Sequence, residues 1–163
     1  MNTDYPILNG VAPSWADIVV KLTPEGGSVL DVKDIKAINT GRSLEVGEQR
    51  GAGGRVMRRT IGQPSQEASM TLYRSGLQRL LRALLPLAPR RANQAMISLV
   101  HFDVQIQHSV SNDDEIYERI VRGARVTGDT LNAAEGSDAQ EAEVPLSVIE
   151  IVDIIDGVEV VLV

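Results

Sequence analysis

The chain has 163 residues, no cysteine, two histidines and only 3% aromatic residues. That length is one ordinary domain, and the composition excludes a disulfide scaffold, a thiolate metal site, a cysteine nucleophile and an aromatic base-stacking platform. The formal net charge of −6 is unlike that of a nucleic-acid-binding domain, which is basic overall.

Residues 1–14 contain Pro6, Gly10 and Pro13 and read as an extended N-terminal arm. They lack the basic and apolar regions of a secretory signal, and nowhere do apolar residues run to the ~18 needed for a membrane helix. Trp15 to Leu22 reads as a first strand, ended by the turn cluster Thr23-Pro24-Glu25-Gly26-Gly27. Val29 to Ile38 reads as a second, with Ile35, Ala37 and Asn39 on one face. Residues 40–66 combine six glycines and five arginines with few apolar side chains. So long a connection is unusual in a compact domain. It reads as a Gly/Arg-rich loop or as a long exposed β-hairpin with its tip near Gly51 to Gly54. Glu67 to Tyr73 alternates cleanly, with Ala68, Met70 and Leu72 on one face.

Ser75 is placed to cap a helix over 75–85, in which Leu77, Leu80, Leu81, Leu84 and Leu85 form one apolar stripe. Pro86 and Pro89 end it. Met96 to Val110 reads as a strand, with Val100, Phe102, Val104 and Ile106 opposite His101, Asp103, Gln105 and Gln107. At ~3.3 Å per residue it would exceed ~40 Å. Ser111 to Asp114 is a turn. Glu115 to Thr127 reads as a strand bent near Gly123, and Gly128 to Asp138 as a polar turn. Gln140 to Ile154 is a further strand whose phase shifts at Ile149, the sign of a bulge. Asp156-Gly157 is a hairpin signal, and Val158 to Val163 closes the chain. Strands, one helix and strands again, without βαβ alternation, predict a mainly β (α+β) fold. Two packed antiparallel sheets would form a sandwich or open barrel with one flanking helix, as a single domain over 1–163.

Motifs for chemistry are few. Gly51-Ala52-Gly53-Gly54 is followed by Arg55-Val56-Met57 and not by the Lys-Ser/Thr of a phosphate loop. His101 and His108 differ by an odd number on the strand reading and point to opposite faces, so they do not share a metal. Asp113, Asp114 and Glu115 lack the spacing of a calcium loop. No nucleophile elbow occurs. The expectation is no catalytic residue, no metal and no cofactor. A small-molecule-binding β-barrel is an alternative, although such pockets are usually lined with aromatics. Charge is segregated: residues 42–91 hold ten Arg and three Glu, a balance of +7, whereas residues 111–163 hold thirteen acids and three Arg, a balance of −10. A chain divided in this way can be complementary to further copies of itself.

Four features together resemble phage tail tube proteins, the superfamily that includes the inner tubes of contractile tails and injection systems. They are Trp15 to Val20 and Val32 to Ile38 as paired first strands, the stretch from Gly41 to Gly62 with Glu45-Val46-Gly47 and Arg59-Thr60-Ile61-Gly62, the mid-chain helix, and the long strands that run to Asp156-Gly157. The resemblance implies hexameric rings stacked into a hollow tube through which DNA passes without specific binding. Arg42, Arg50, Arg55, Arg58 and Arg59 would then form an inter-ring contact loop, and Asp103, Gln105, Gln107 and Glu118 would face the lumen. Sheath, tape measure and baseplate or terminator proteins are the implied partners. The implied location is the virion tail, assembled in the host bacterial cytoplasm. Another ring-forming tail component, for completion or the baseplate, would share these features.

Overall fold

Short aliphatic runs with a period of two supply nearly all the apolar surface of this chain, so its core is built from sheet faces. A computed structural model describes residues 18–109, 116–133 and 139–161. The expected arm over 1–14, the residues Trp15 to Asp17, the turn Ser111 to Asp114 and part of the turn ending at Asp138 lie outside the described residues. The strands are β1 (Ile18–Pro24), β2 (Leu30–Asp31), β3 (Ile35–Arg50), β4 (Val56–Tyr73), β5 (Arg90–Arg91), β6 (Gln94–Ala95), β7 (Phe102–Ser109), β8 (Ile116–Val126), β9 (Thr130–Asn132), β10 (Glu141–Ser147), β11 (Glu150–Ile155) and β12 (Val158–Val160). The single helix, α1, spans Arg74–Leu84 among the described residues.

Every pairing between these strands is antiparallel. One sheet runs β2-β1-β7-β8-β11-β12 and the other β3-β4-β10-β9. They are joined at a corner where the end of β8 leaves the first sheet and pairs with β10, Val126 opposite Leu146. The corner is made at Gly123, with φ of 63°. There the β7–β8 register shifts, and a Cβ would lie 2.5 Å from Ile149 Cδ1. The expected mainly β fold, two antiparallel sheets and one flanking helix, is the one observed. The sheets do not close into a barrel.

Val104 and Val121 of the first sheet and Met70, Leu72 and Val144 of the second are fully buried in one core cluster. Ala68, Met70 and Leu72 face inward as their alternation requires. In β3 the expected phase is corrected. A bulge between Ile35 and Ala37 lets both Ile35 and Ile38 face the core, opposite Leu72 and Met70, and turns Asn39 outward.

Helix α1 closes one open end of the sandwich. Leu77, Leu80 and Leu84 enter the core, but Leu81 is only half-buried and Leu85 is 42% exposed, so the apolar stripe is narrower than predicted. Ser75 is not the cap. The N-cap is Tyr73, with no side-chain capping bond, and the Arg74 amide donates to Gln140 O at 3.1 Å. Neighbouring backbone thus satisfies a group that a cap would otherwise serve. The strand expected from Met96 begins only at Phe102, because Ile97–Leu99 form a 3-10 turn. The strand expected over 140–154 is divided into β10 and β11 at Val148 and Ile149, where the phase shift was read. The Asp156-Gly157 hairpin is present, with φ of 51° and 77°.

Leu80→Ala is expected to lower unfolding free energy by about 2–5 kcal/mol. Leu85→Ala should change it by less than about 1 kcal/mol, as an exposed site. Chemical denaturation of the two variants measures the difference.

Candidate functional site

The stretch 40–66 is not a loop. It is the outer part of β3 and β4, paired continuously from Thr40↔Ala68 to Arg50↔Val56, with a tip over 51–55. This is the long-hairpin alternative. From Ser43 to Ser65 no residue is buried, so the hairpin stands away from the sandwich as an arm. Glycine lets its strands approach closely. At Gly62 a Cβ would sit 2.5 Å from Glu45 O, beside the bulge at Leu44/Val46. One face of the arm carries an exposed apolar pair, Val46 (50% exposed) opposite Ile61 (74%), with the charged cross-strand pair Glu48 and Arg59 next along. The other face carries Gly47 opposite Thr60 and Gln49 opposite Arg58.

The five arginines expected to act together separate into two groups. Arg50, Arg55, Arg58 and Arg59 lie at the exposed outer end of the arm, where Arg50 meets Glu48 at 3.3 Å. Arg42 points inward at the arm's base. Its guanidinium contacts the Asp153 carboxylate and donates to Ile151 O at 3.2 Å and Val160 O at 3.1 Å. Arg119 reaches the same carboxylate at 2.6 Å and 3.1 Å and donates to Thr40 Oγ1 at 2.8 Å. Asp153 is 5% exposed. A buried carboxylate needs partners of this kind. Here they tie β3 of one sheet to β8, β11 and β12 of the other. Gln66, opposite Arg42, accepts from the Ile151 amide and adds a second tie. Sequence reading missed Asp153. Its signal was a single acid in the β-branched run Ile151-Val152-Asp153-Ile154-Ile155, in phase with the inward-facing Ile151.

The four expected lumen residues share the outer face of the first sheet. Gln107 is opposite Glu118, and Gln105 contacts the Glu118 carboxylate. Asp103 accepts from the Gly123 amide at 2.9 Å, which fixes the bend. Lys21, opposite Gln105, and Arg122 share that face. Arg122 meets Glu159 at 2.6 Å and Glu150 at 3.4 Å. The hydrogen bond to Glu159 and that carboxylate's charge raise the guanidinium's pKa above its usual value, with Glu150 adding less. His101 is half-buried beside Arg125.

The outer face of the second sheet is different. Asn39, Gly41 and Ser43 oppose Ser69, Glu67 and Ser65, and Pro145 lies beside Ser69. Asn39, Gly41, Glu67, Ser69 and Pro145 help to line an open trough of about 700 Å³. Among the described residues, no group of three or more His, Asp or Glu is placed to hold a metal ion. Also among them, the far edge of β3 pairs with no strand.

The sequence matches no protein-family model and none of the curated proteins. Solved structures do match. The cap that terminates the tube of the anti-feeding prophage (AFP) is similar with a TM-score of 0.62 and 14% identity, over 93% of this chain and 96% of that one. The SPP1 tail tube is similar with a TM-score of 0.62 and 14% identity, over 90% and 82%. A chain from the extended sheath-tube complex of the extracellular contractile injection system PVC gives a TM-score of 0.57 and 16% identity, over 93% of both. The shared feature is the fold, and it is the tail tube fold.

Asp153→Asn leaves two guanidinium groups around a neutral amide and is expected to cost about 3–5 kcal/mol. Arg122→Ala, at a partly exposed pair, should cost less than about 1 kcal/mol. Thermal and denaturant unfolding of the two variants tests the contrast.

Proposed function

We propose that this chain is a structural, non-enzymatic subunit that builds the tube of a phage tail or of a related contractile injection machine. The observation that carries this reading is β3. It is 16 residues long, and its outer edge is unpaired among the described residues. An exposed edge of that length pairs with another strand unless it is blocked. Further copies of the chain are the natural partner in a fold shared with the SPP1 tail tube and the PVC sheath-tube complex.

In this reading, strand pairing joins the second sheets of six copies round a ring, and rings stack into a hollow tube. The domain spans 1–163. The arm's arginines Arg50, Arg55, Arg58 and Arg59 bridge to a neighbouring ring, while Arg42 sets the arm's direction from its base. The outer face of the ring-forming sheet becomes the wall. Asn39, Gly41, Ser43, Ser65, Glu67 and Ser69 put acidic and neutral groups there, and Lys36, at the helix end of that face, is paired with Glu141 at 2.5 Å. Such a wall repels phosphate, so DNA slides through it without being held. Asp103, Gln105, Gln107 and Glu118 would line the wall only if the first sheet formed the ring. Its terminal strands, β2 and β12, have two and three residues, so it has no edge strand as long as β3, which makes that the weaker arrangement. Sheath, tape measure and baseplate or terminator proteins are the partners such a tube would meet. Its place would be the virion tail, after assembly in the host bacterial cytoplasm.

Negative-stain electron microscopy of the purified protein tests this. Hollow tubes or stacked rings are expected at low salt and fewer at high salt. A monodisperse monomer at every concentration, even when seeded with tube ends, would overturn the reading. The triple variant Arg55→Glu, Arg58→Glu, Arg59→Glu should retain the unfolding midpoint of the parent and lose long tubes in the same images.

A further inference from the structure

The chain's charge is polarised along the sandwich, independently of the arm. At one end lies α1. Its outward face presents Arg79 and Arg82, and the short β5–β6 hairpin that follows presents Arg90 and Arg91, all exposed. Among these, only Arg79 has an ion-pair partner among the described residues, Asp34 at 3.4 Å. At the other end lies the β11–β12 hairpin, with Asp156 exposed at its turn and Glu150 and Glu159 sharing the single cation Arg122.

The register shows that these are opposite ends. β10 starts beside α1, with Glu141 opposite Tyr73. The chain then follows β8, first at Leu146↔Val126 in β10 and, after the break, through Glu150↔Arg122 to Ile154↔Glu118 in β11. Leu87, between α1 and β5, lies against Gly27, just past Pro24 opposite Phe102, whereas Ile154 is opposite Glu118 and Glu118 opposite Gln107, so roughly 20 Å of the first sheet separates the β11–β12 hairpin from that end.

We propose that the basic α1–β5 end of one copy docks on the acidic β11–β12 end of the next, as the head-to-tail contact between rings. This rests on the tube reading above. If strand edges close the ring, hydrogen bonds run round it, and the strand ends, not the strand edges, face neighbouring rings. A contact between two different surfaces of one chain is heterologous and propagates without limit. Opposite charge gives it both orientation and salt sensitivity.

The absence of cysteine makes a direct test possible. A double variant, Arg90→Cys with Glu159→Cys, has its thiols too far apart to join within one chain, because a disulfide needs Cα atoms within about 7 Å. Mild oxidation should give an open-ended ladder on a non-reducing gel, each single variant should give no ladder, and a mixture of the two singles should give dimers only. Charge variants supply the second measurement. Arg82→Glu, Arg90→Glu, Arg91→Glu should raise the protein concentration needed for stacking at least about tenfold, because each ring repeats the weak pair, and leave single rings intact. Asp156→Asn with Glu159→Lys should do the same, and all five substitutions in one chain should restore stacking. Circular dichroism confirms that each variant is folded. Tubes that form with no ladder and no response to charge reversal would overturn the docking and leave the tube reading in place. A ladder without tubes or rings would support the docking and overturn the tube.

Discussion

A carboxylate shared by two guanidinium groups sets where the arm of this protein points. A projecting two-stranded hairpin has little stability of its own, and between Ser43 and Ser65 this one buries no residue. Its direction must come from its base. Arg42 and Gln66, paired across β3 and β4, both reach β11, while Arg119 bonds the same carboxylate and also donates to Thr40. Asp153 stands among aliphatic side chains and has no solvent to replace these partners, so the arrangement is all or nothing. The sheets are thereby tied together where the hydrophobic core gives way to the arm.

The second constraint is the corner in β8. A strand that serves both sheets must bend sharply, and Gly123 supplies a left-handed conformation that other residues rarely adopt. The Asp103 carboxylate holds the Gly123 amide in that bend. A side chain read from sequence as a wall residue therefore already has a structural role. Because β10 and β11 follow β8 round the corner in succession, the chain's last hairpin is carried to the end of the sandwich opposite the helix. The acidic end and the helix end are fixed apart by that single path.

The arginine-rich half of the sequence is divided by the fold into three uses. Arg42 is internal, Arg50 to Arg59 line the outer arm, and Arg79 to Arg91 lie on the helix end. Only the last two groups present charge to other molecules. Among the described residues, the unpaired edge of β3 and the two charged ends are three distinct directional surfaces, and none overlaps the aliphatic core.

Sequence alone determined the inward faces of β4, β7 and β10, the helix, the Asp156-Gly157 turn and the phase break at Ile149, because each depends on neighbours a few residues away. Alternation at Ala68, Met70 and Leu72, or at Val100, Phe102, Val104 and Ile106, leaves little choice of inward face. The resemblance to tail tube proteins was legible in the same local features. Tertiary structure alone decided that residues 40–66 are paired strands, since glycine and arginine have weak strand preference and the register comes from the partner strand. It also decided the bulge that turned Ile38 inward and the fate of Arg42. Arg42 and Asp153 are separated by 111 residues, and no spacing rule links them. Their meeting follows from two sheets packing face to face and from the high cost of a buried carboxylate without a cation.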